Sequence, residues 1–154
     1  MCGVRIRGTN RIPQIARSLR ELGGLGIEVG IFSSDDSFYA MIAGVHEFGM
    51  TIRQEKGNII IPERSFLRST FDEQNAKWFE FMQKRIPALL EGRTSARQIC
   101  ELLGTRMVAD IQKKIKSLDT PPNADSTIRA KGSSNPLIDT GGMRMRVTYK
   151  VVSV

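Results

Sequence analysis

The stretch TSARQICELLGTRMVADIQKKIKSL, residues 94–118, decides how the rest of the chain is read. Cys100, Leu103, Met107, Ile111, Ile115 and Leu118 recur every three or four positions, the spacing that lines side chains along one face of an α-helix. Thr94 or Ser95 can accept the first free amides of that helix and so start it. A helix this long with one apolar face needs other elements to cover that face. Just upstream, Leu67, Phe71, Trp78, Met82 and Ile86 form a second stripe. Its helix is expected to start near Glu63 or Arg64, behind Pro62, and to end or kink at Pro87.

Working outward, the partners of these helices are short and β-branched. Residues 27–32 read as a buried strand. Residues 51–54 and 58–61 flank Glu55-Lys56-Gly57 as a hairpin, and Pro62 closes its second arm because it cannot donate to a ladder. Residues 143–154, rich in Val and Tyr, read as a terminal strand. Two further helices are expected. Asn10 caps one carrying Ile12, Ile15, Leu19 and Leu22, stopped by Gly23-Gly24. Asp36 or Ser37 caps another through Ala40, Met41, Gly44 and Val45, ending at Gly49. The order α-β-α-β-β-α-α-β predicts an α+β fold over residues 1–154, one domain with a small, mainly antiparallel sheet packed against two long helices. Residues 119–136, with Pro121-Pro122, Gly132-Ser133-Ser134 and Asn135-Pro136, read as a long loop, mobile in the free monomer.

At 154 residues the chain can bury roughly 70% of its unfolded surface and needs no disulfide or metal to fold. Cys2 and Cys100 are too few for a disulfide framework, and Cys100 lies among Ile99, Leu102 and Leu103 as a small core hydrophobe. No apolar run reaches the ~20 residues of a membrane span, and the start, Met1-Cys2-Gly3-Val4-Arg5, lacks the apolar region of a secretion signal. A soluble product of the cytoplasm, without membrane contact, is the expectation. The net charge of +7 favours an anionic neighbour, nucleic acid or an acidic protein. Lys113, Lys114 and Lys116 on the last long helix, with Arg144 and Arg146 beyond it, are the candidates for that contact. Aromatic residues do not alternate with basic ones, as stacking platforms for bases require.

Catalytic patterns are weak. His46, the one histidine, precedes Glu47, but a zinc-binding HExxH needs a second histidine where Met50 stands. Asp139-Thr140-Gly141 has the form of the aspartic-protease tripeptide, yet too little chain follows it to build a flap and a pocket. A turn in which Asp139 accepts nearby amides accounts for the same residues. Neither Gly23-Gly24 nor Gly141-Gly142 leads into a Gly-Lys-Ser/Thr phosphate loop. No catalytic residue, cofactor or metal ligand is assigned.

Three segments, in order, resemble the tail-component (tail-completion, neck) family of tailed bacteriophages, which includes proteins similar to minor tail protein Z. The first runs from Ala40 through Val45-His46-Glu47-Phe48-Gly49, like the family's helix leading into a (His/Val)-Glu-Phe-Gly turn. The second, Ile61-Pro62-Glu63-Arg64-Ser65-Phe66-Leu67-Arg68, is similar to its Pro-x-Arg-Pro/Ser-Phe-Leu pattern. The third comprises Pro121-Pro122-Asn123, Ser126-Thr127-Ile128, Lys131-Gly132-Ser133 and Pro136-Leu137-Ile138-Asp139-Thr140-Gly141, like the family's loop before its final strand. Gly142-Met143-Arg144-Met145-Arg146 departs from the pattern, where members often carry a single Gly and a later Ser.

The resemblance implies a structural, non-enzymatic role in the virion. The chain would be one subunit of a ring, sixfold by analogy, at the head-to-tail junction or tail end, assembled in the host cytoplasm. Its neighbours would be other copies of itself and neck, tail-terminator or tail-tube proteins, with non-sequence-specific contact to exiting DNA. Arg64, Arg68, Ile128, Leu137 and Asp139 are the expected contacts to a neighbouring subunit. The alternative from another class is a basic, non-specific nucleic-acid-binding module.

Overall fold

The computed structural model describes residues 10–154 except Lys56, Ser133, Ser134 and Asp139, and leaves the side chains of Ser126 and Lys131 aside. The fold is α+β. In chain order the elements are α1 (Ile12–Gly23), β1 (Leu25–Gly30), α2 (Ser37–Phe48), β2 (Met50–Ile52), β3 (Ile59–Ile61), α3 (Leu67–Gln83), α4 (Ile86–Leu90), α5 (Ala96–Ser117), α6 (Asp125–Lys131), α7 (Gly142–Met145) and β4 (Thr148–Ser153). The strands form two separate antiparallel pairs. β1 lies beside β4, with Leu25 opposite Ser153 and Gly30 opposite Thr148, and β2 lies beside β3.

α5 is the axis of the molecule. Ser95 opens it with a full capping box: its hydroxyl accepts from the Gln98 amide at 3.2 Å and the Gln98 side chain accepts from the Ser95 amide at 3.0 Å. Its stripe runs over two apolar clusters. Ile111 and Ile115 meet Ala43, Phe66, Leu137, Met143 and Val147 at one end, and Ala96 and Ile99 meet Leu89 at the other. Burying Phe66 completely is worth about 2–3 kcal/mol. β4 and β1 pack across α5, with Gly104 flush against the Tyr149 ring, where a Cβ would overlap it. α3 packs on α5 from another side, and the Trp78 indole donates to Asp110 Oδ2 at 2.8 Å.

Asp36 caps α2, accepting from the Tyr39 amide at 3.1 Å. At α1 the cap position is Arg11, and Asn10, one residue earlier, accepts from the Ile12 amide at 3.1 Å. Gly49 ends α2 at φ 71°, ψ 165°, a positive φ combined with an extended ψ. That combination turns the chain straight from α2 into β2.

Elsewhere the structure corrects the sequence reading. α3 starts at Leu67 instead of Glu63 or Arg64. Phe71 is 56% exposed, while Thr70 and Trp78 are buried. The buried stripe is thus rotated by one residue at Phe71, because α5 decides which side of α3 is covered. α3 ends at Gln83, before Pro87, which instead falls in the first turn of α4. The chain from Gly142 to Met145 is helical, so the terminal strand begins only at Thr148. Its second glycine has a job: Gly142 lies against the Tyr39 phenol, where any Cβ would collide. Residues 119–136 are more than a loop, because α6 forms in the middle.

Candidate functional site

The first two segments that carry the resemblance, and Pro121-Pro122-Asn123 of the third, meet in one polar node at the start of α3. Its centre is Glu47, on the last turn of α2 and 2% exposed. A helix begins with amides that have no partner within it. Here Glu47 takes up three of them: Oε2 accepts from the amides of Phe66 and Leu67, both at 2.8 Å, and Oε1 accepts from the Arg68 amide at 3.0 Å. The Ser65 hydroxyl and the Arg68 Nε also donate to Oε1, at 2.8 and 3.0 Å. This is why α3 starts at Leu67, with the chain before it held off the helix. Burial acts to raise the Glu47 pKa. The amides of Leu67 and Arg68, the Ser65 hydroxyl and the Arg68 guanidinium outweigh it and hold the group below the ordinary carboxylate value.

Arg64 and Arg68, two of the expected subunit contacts, do not share a helix face: the first is buried and the second half-exposed. Arg64 precedes α3 and is 4% exposed. Its amide donates to the His46 carbonyl at 2.7 Å. Its guanidinium reaches the third segment, donating to the carbonyls of Pro121 and Pro122 at 2.7 and 2.9 Å and to Asn123 Oδ1 at 3.3 Å. Burial lowers its pKa, but an arginine remains a cation at neutral pH. Arg68 is half-exposed, yet its guanidinium is engaged by Glu47, by Glu63 at 2.7 Å and by the Glu47 carbonyl at 2.7 Å. It also lies 4.8 Å from the centre of the Phe48 ring. The Glu47 hydrogen bond, the largest influence, raises its pKa.

The remaining expected subunit contacts divide. Leu137 is buried in the core at 5% exposure, so it cannot anchor on a neighbour. Ile128 is half-buried on α6. Asp139 lies outside the described residues.

Of the five expected anion contacts, two are committed internally. Lys114 pairs with Glu73 of α3. Arg146 pairs with Asp36, the cap of α2, and its guanidinium lies 4.0 Å from the centre of the Tyr39 ring. Lys113, Lys116 and Arg144 converge: together with Ala109, Gln112 and Ser117 they line a shallow depression of about 390 Å³ between α5 and α7. None of these three pairs with a carboxylate among the described residues.

Chemically the node is a clamp. Among the described residues the Ser65–Glu47 pair is where a hydroxyl meets a buried carboxylate, but a base needs a pKa near the working pH. Glu47 is shifted the other way and already accepts five hydrogen bonds. No group of three or more potential metal ligands occurs among the described residues. No helix among them is long and apolar enough to cross a membrane.

Sequence reasoning missed Glu47, weighing it only as half of a metal motif. The one local signal was its place at the end of a helix followed by Gly49. Comparison of the chain with family models, with curated proteins and with solved structures returns no match.

Proposed function

We propose that this chain is a non-enzymatic structural subunit of a ring at the head-to-tail junction or the tail end of a tailed-bacteriophage virion. One observation carries the reading. The Arg-Ser-Phe-Leu motif at 64–67 makes direct hydrogen bonds both to the helix-end motif at Glu47 and to the Pro121-Pro122-Asn123 motif, each far away in sequence. They therefore act as one structural unit, and a resemblance spread over three separate segments becomes a resemblance at one place. The chemistry of that place suits the role. A saturated carboxylate and a buried guanidinium lock α2, α3 and residues 121–123 into a rigid body, which a ring subunit needs in order to present its surfaces at fixed angles.

The test is localisation together with assembly. Mass spectrometry of purified virions and immunogold labelling are expected to find the protein at the neck or tail end. Negative-stain microscopy of the protein, alone or with its neck partners, is expected to show closed rings. Abundant protein in infected cells with none in intact virions overturns the reading.

A second reading, a basic nucleic-acid-binding module, draws on the convergence of Lys113, Lys116 and Arg144. It is distinguished by titrating the chain with several unrelated duplexes at two salt concentrations. Weak, sequence-indifferent, salt-sensitive binding fits a surface facing DNA within a ring. A preference of about 100-fold for one sequence belongs to a dedicated DNA-binding protein.

A further inference from the structure

We infer that the hairpin β2–β3, with Phe48 at its root, is the surface by which one copy of this chain seats on another; that the neighbour is a copy rests in part on the ring reading above. The register places Met50 opposite Ile61 and Ile52 opposite Ile59. Cross-strand partners point to the same side of a sheet and alternate residues to opposite sides. One face of this hairpin is therefore made of Met50, Ile52, Ile59 and Ile61, while Thr51 and Ile60 point the other way. The face with Met50, Ile52, Ile59 and Ile61 is wholly apolar, the kind that a sheet normally covers, and the other face carries Ile60 as well. Here the cover is missing: Met50, Ile52 and Ile59 are 46%, 39% and 47% exposed, Ile60 is 71% exposed and Phe48 67%. None of the described residues from 48 to 65 belongs to either apolar cluster of the body. A two-stranded hairpin without a covering partner is marginal in water.

The hairpin is aimed. At its root Gly49 lies so close to Glu63 N and Ile61 O that a Cβ would stand 3.0 Å from each. Arg68, held by Glu47, packs over Phe48. The node that locks α2 to α3 thus also sets the direction in which the hairpin projects.

Two arguments name the occupant. The first is area. Over both faces of the hairpin and its root, Phe48, Met50, Ile52, Ile59 and Ile60 leave on the order of 500 Å² of apolar surface in water, close to the apolar share of the ~800 Å² that each partner buries in a standard interface, so the partner encloses the hairpin and does not merely rest on one side of it. The second is charge. Copies of a chain with net charge +7 repel one another wherever their basic surfaces meet. Near the hairpin both signs occur among the described residues, Arg53 and Arg68 against Glu55 and Glu63. An acidic partner would instead be drawn to Lys113, Lys116 and Arg144. A nearly balanced apolar patch on a basic chain suits a second copy of that chain.

The experiment is sedimentation of the full chain over a concentration series, for the wild type, Ile59→Asp and Ile52→Thr, with circular dichroism as the control for folding. Ile52→Thr keeps a β-branched residue in the strand and removes only apolar surface. The wild type is expected to associate, Ile59→Asp to weaken association by about 100-fold and Ile52→Thr by about 10-fold, with unchanged spectra. A wild type that remains monomeric, or association that survives both variants, overturns the inference. So does a chain that is monomeric alone but is bound through Ile52 and Ile59 by a different virion protein. Hairpin-dependent association of a chain that is absent from virions supports the interface and overturns only the ring reading.

Discussion

The Glu47 carboxylate does for α3 what an N-cap side chain does for most helices, but it reaches in from another helix. Replacing it with glutamine leaves one acceptor oxygen and turns an NH₂ toward donors. Glu47→Gln is expected to cost about 3 kcal/mol, the range for breaking a buried charged hydrogen-bond network. Urea denaturation at neutral pH measures this. The pH dependence has a defined sign. Because the folded-state pKa of Glu47 lies below its ordinary value of 4.5, its contribution is fully present above that value. It is lost as pH falls through the lower, folded-state value. Stability of the wild type should therefore drop on acidification below about pH 4.5, and more steeply than that of Glu47→Gln. Equal acid limbs for the two proteins would show that the carboxylate is not the group that titrates.

Between elements, a few close contacts hold the layers together. Gly104 on α5 admits the Tyr149 ring of β4, so Gly104→Ala must displace an aromatic side chain from a packed interface. A loss of about 1–3 kcal/mol is expected, typical of overpacking, even though alanine is the better helix former. A melting temperature at or above that of the wild type would mean that β4 yields freely. The grip of Arg64 on residues 121–123 makes a separable prediction. Lysine keeps the charge but cannot fork between the Pro121 and Pro122 carbonyls. In Arg64→Lys, hydrogen exchange is expected to speed up in residues 119–125 while the amides of α5 stay protected. Unchanged exchange in that segment would assign its order to other contacts, such as the Asn135 amide on the Lys116 carbonyl at 3.0 Å.

For the molecule as a whole, charge and shape divide the surface. Lys113, Lys116 and Arg144 leave a basic depression free of ion pairs to described carboxylates, whereas Lys114 and Arg146 serve the fold. Exposed charges more than ~8 Å apart are screened at physiological salt, so only clustered cations hold an anionic neighbour effectively. Charge reversal at Lys113 and Lys116 is expected to abolish most of any weak, salt-dependent DNA binding and to leave stability within about 0.5 kcal/mol. Lys114→Glu, which sets like charges against Glu73, is expected to cost stability as well. If all three substitutions behave alike in both assays, the basic depression has no distinct role.

What the sequence determined by itself was local. The stripe of α5, the start signals at Asn10, Asp36 and Ser95, the hairpin closed by Pro62 and the α+β class all follow from spacing and from side chains bonding to amides two or three residues away. That Lys113 and Lys116 lie one turn apart on one helix was legible too, whereas Arg144 comes beside them only through α7, where the sequence reads as strand. The tertiary structure alone decided which charges were available. Nothing local in Arg64 shows that it will be spent on carbonyls 57 and 58 residues away, or in Glu47 that it will start a helix from 19 residues upstream. A side chain declares its charge in the sequence but not its partner, since the partner depends on which segments the core brings together. The same holds for Phe71 and Leu137, which share an apolar character. α5 leaves the first outside, and Ile111, Ile115 and Phe66 enclose the second, so packing geometry makes one surface and the other core.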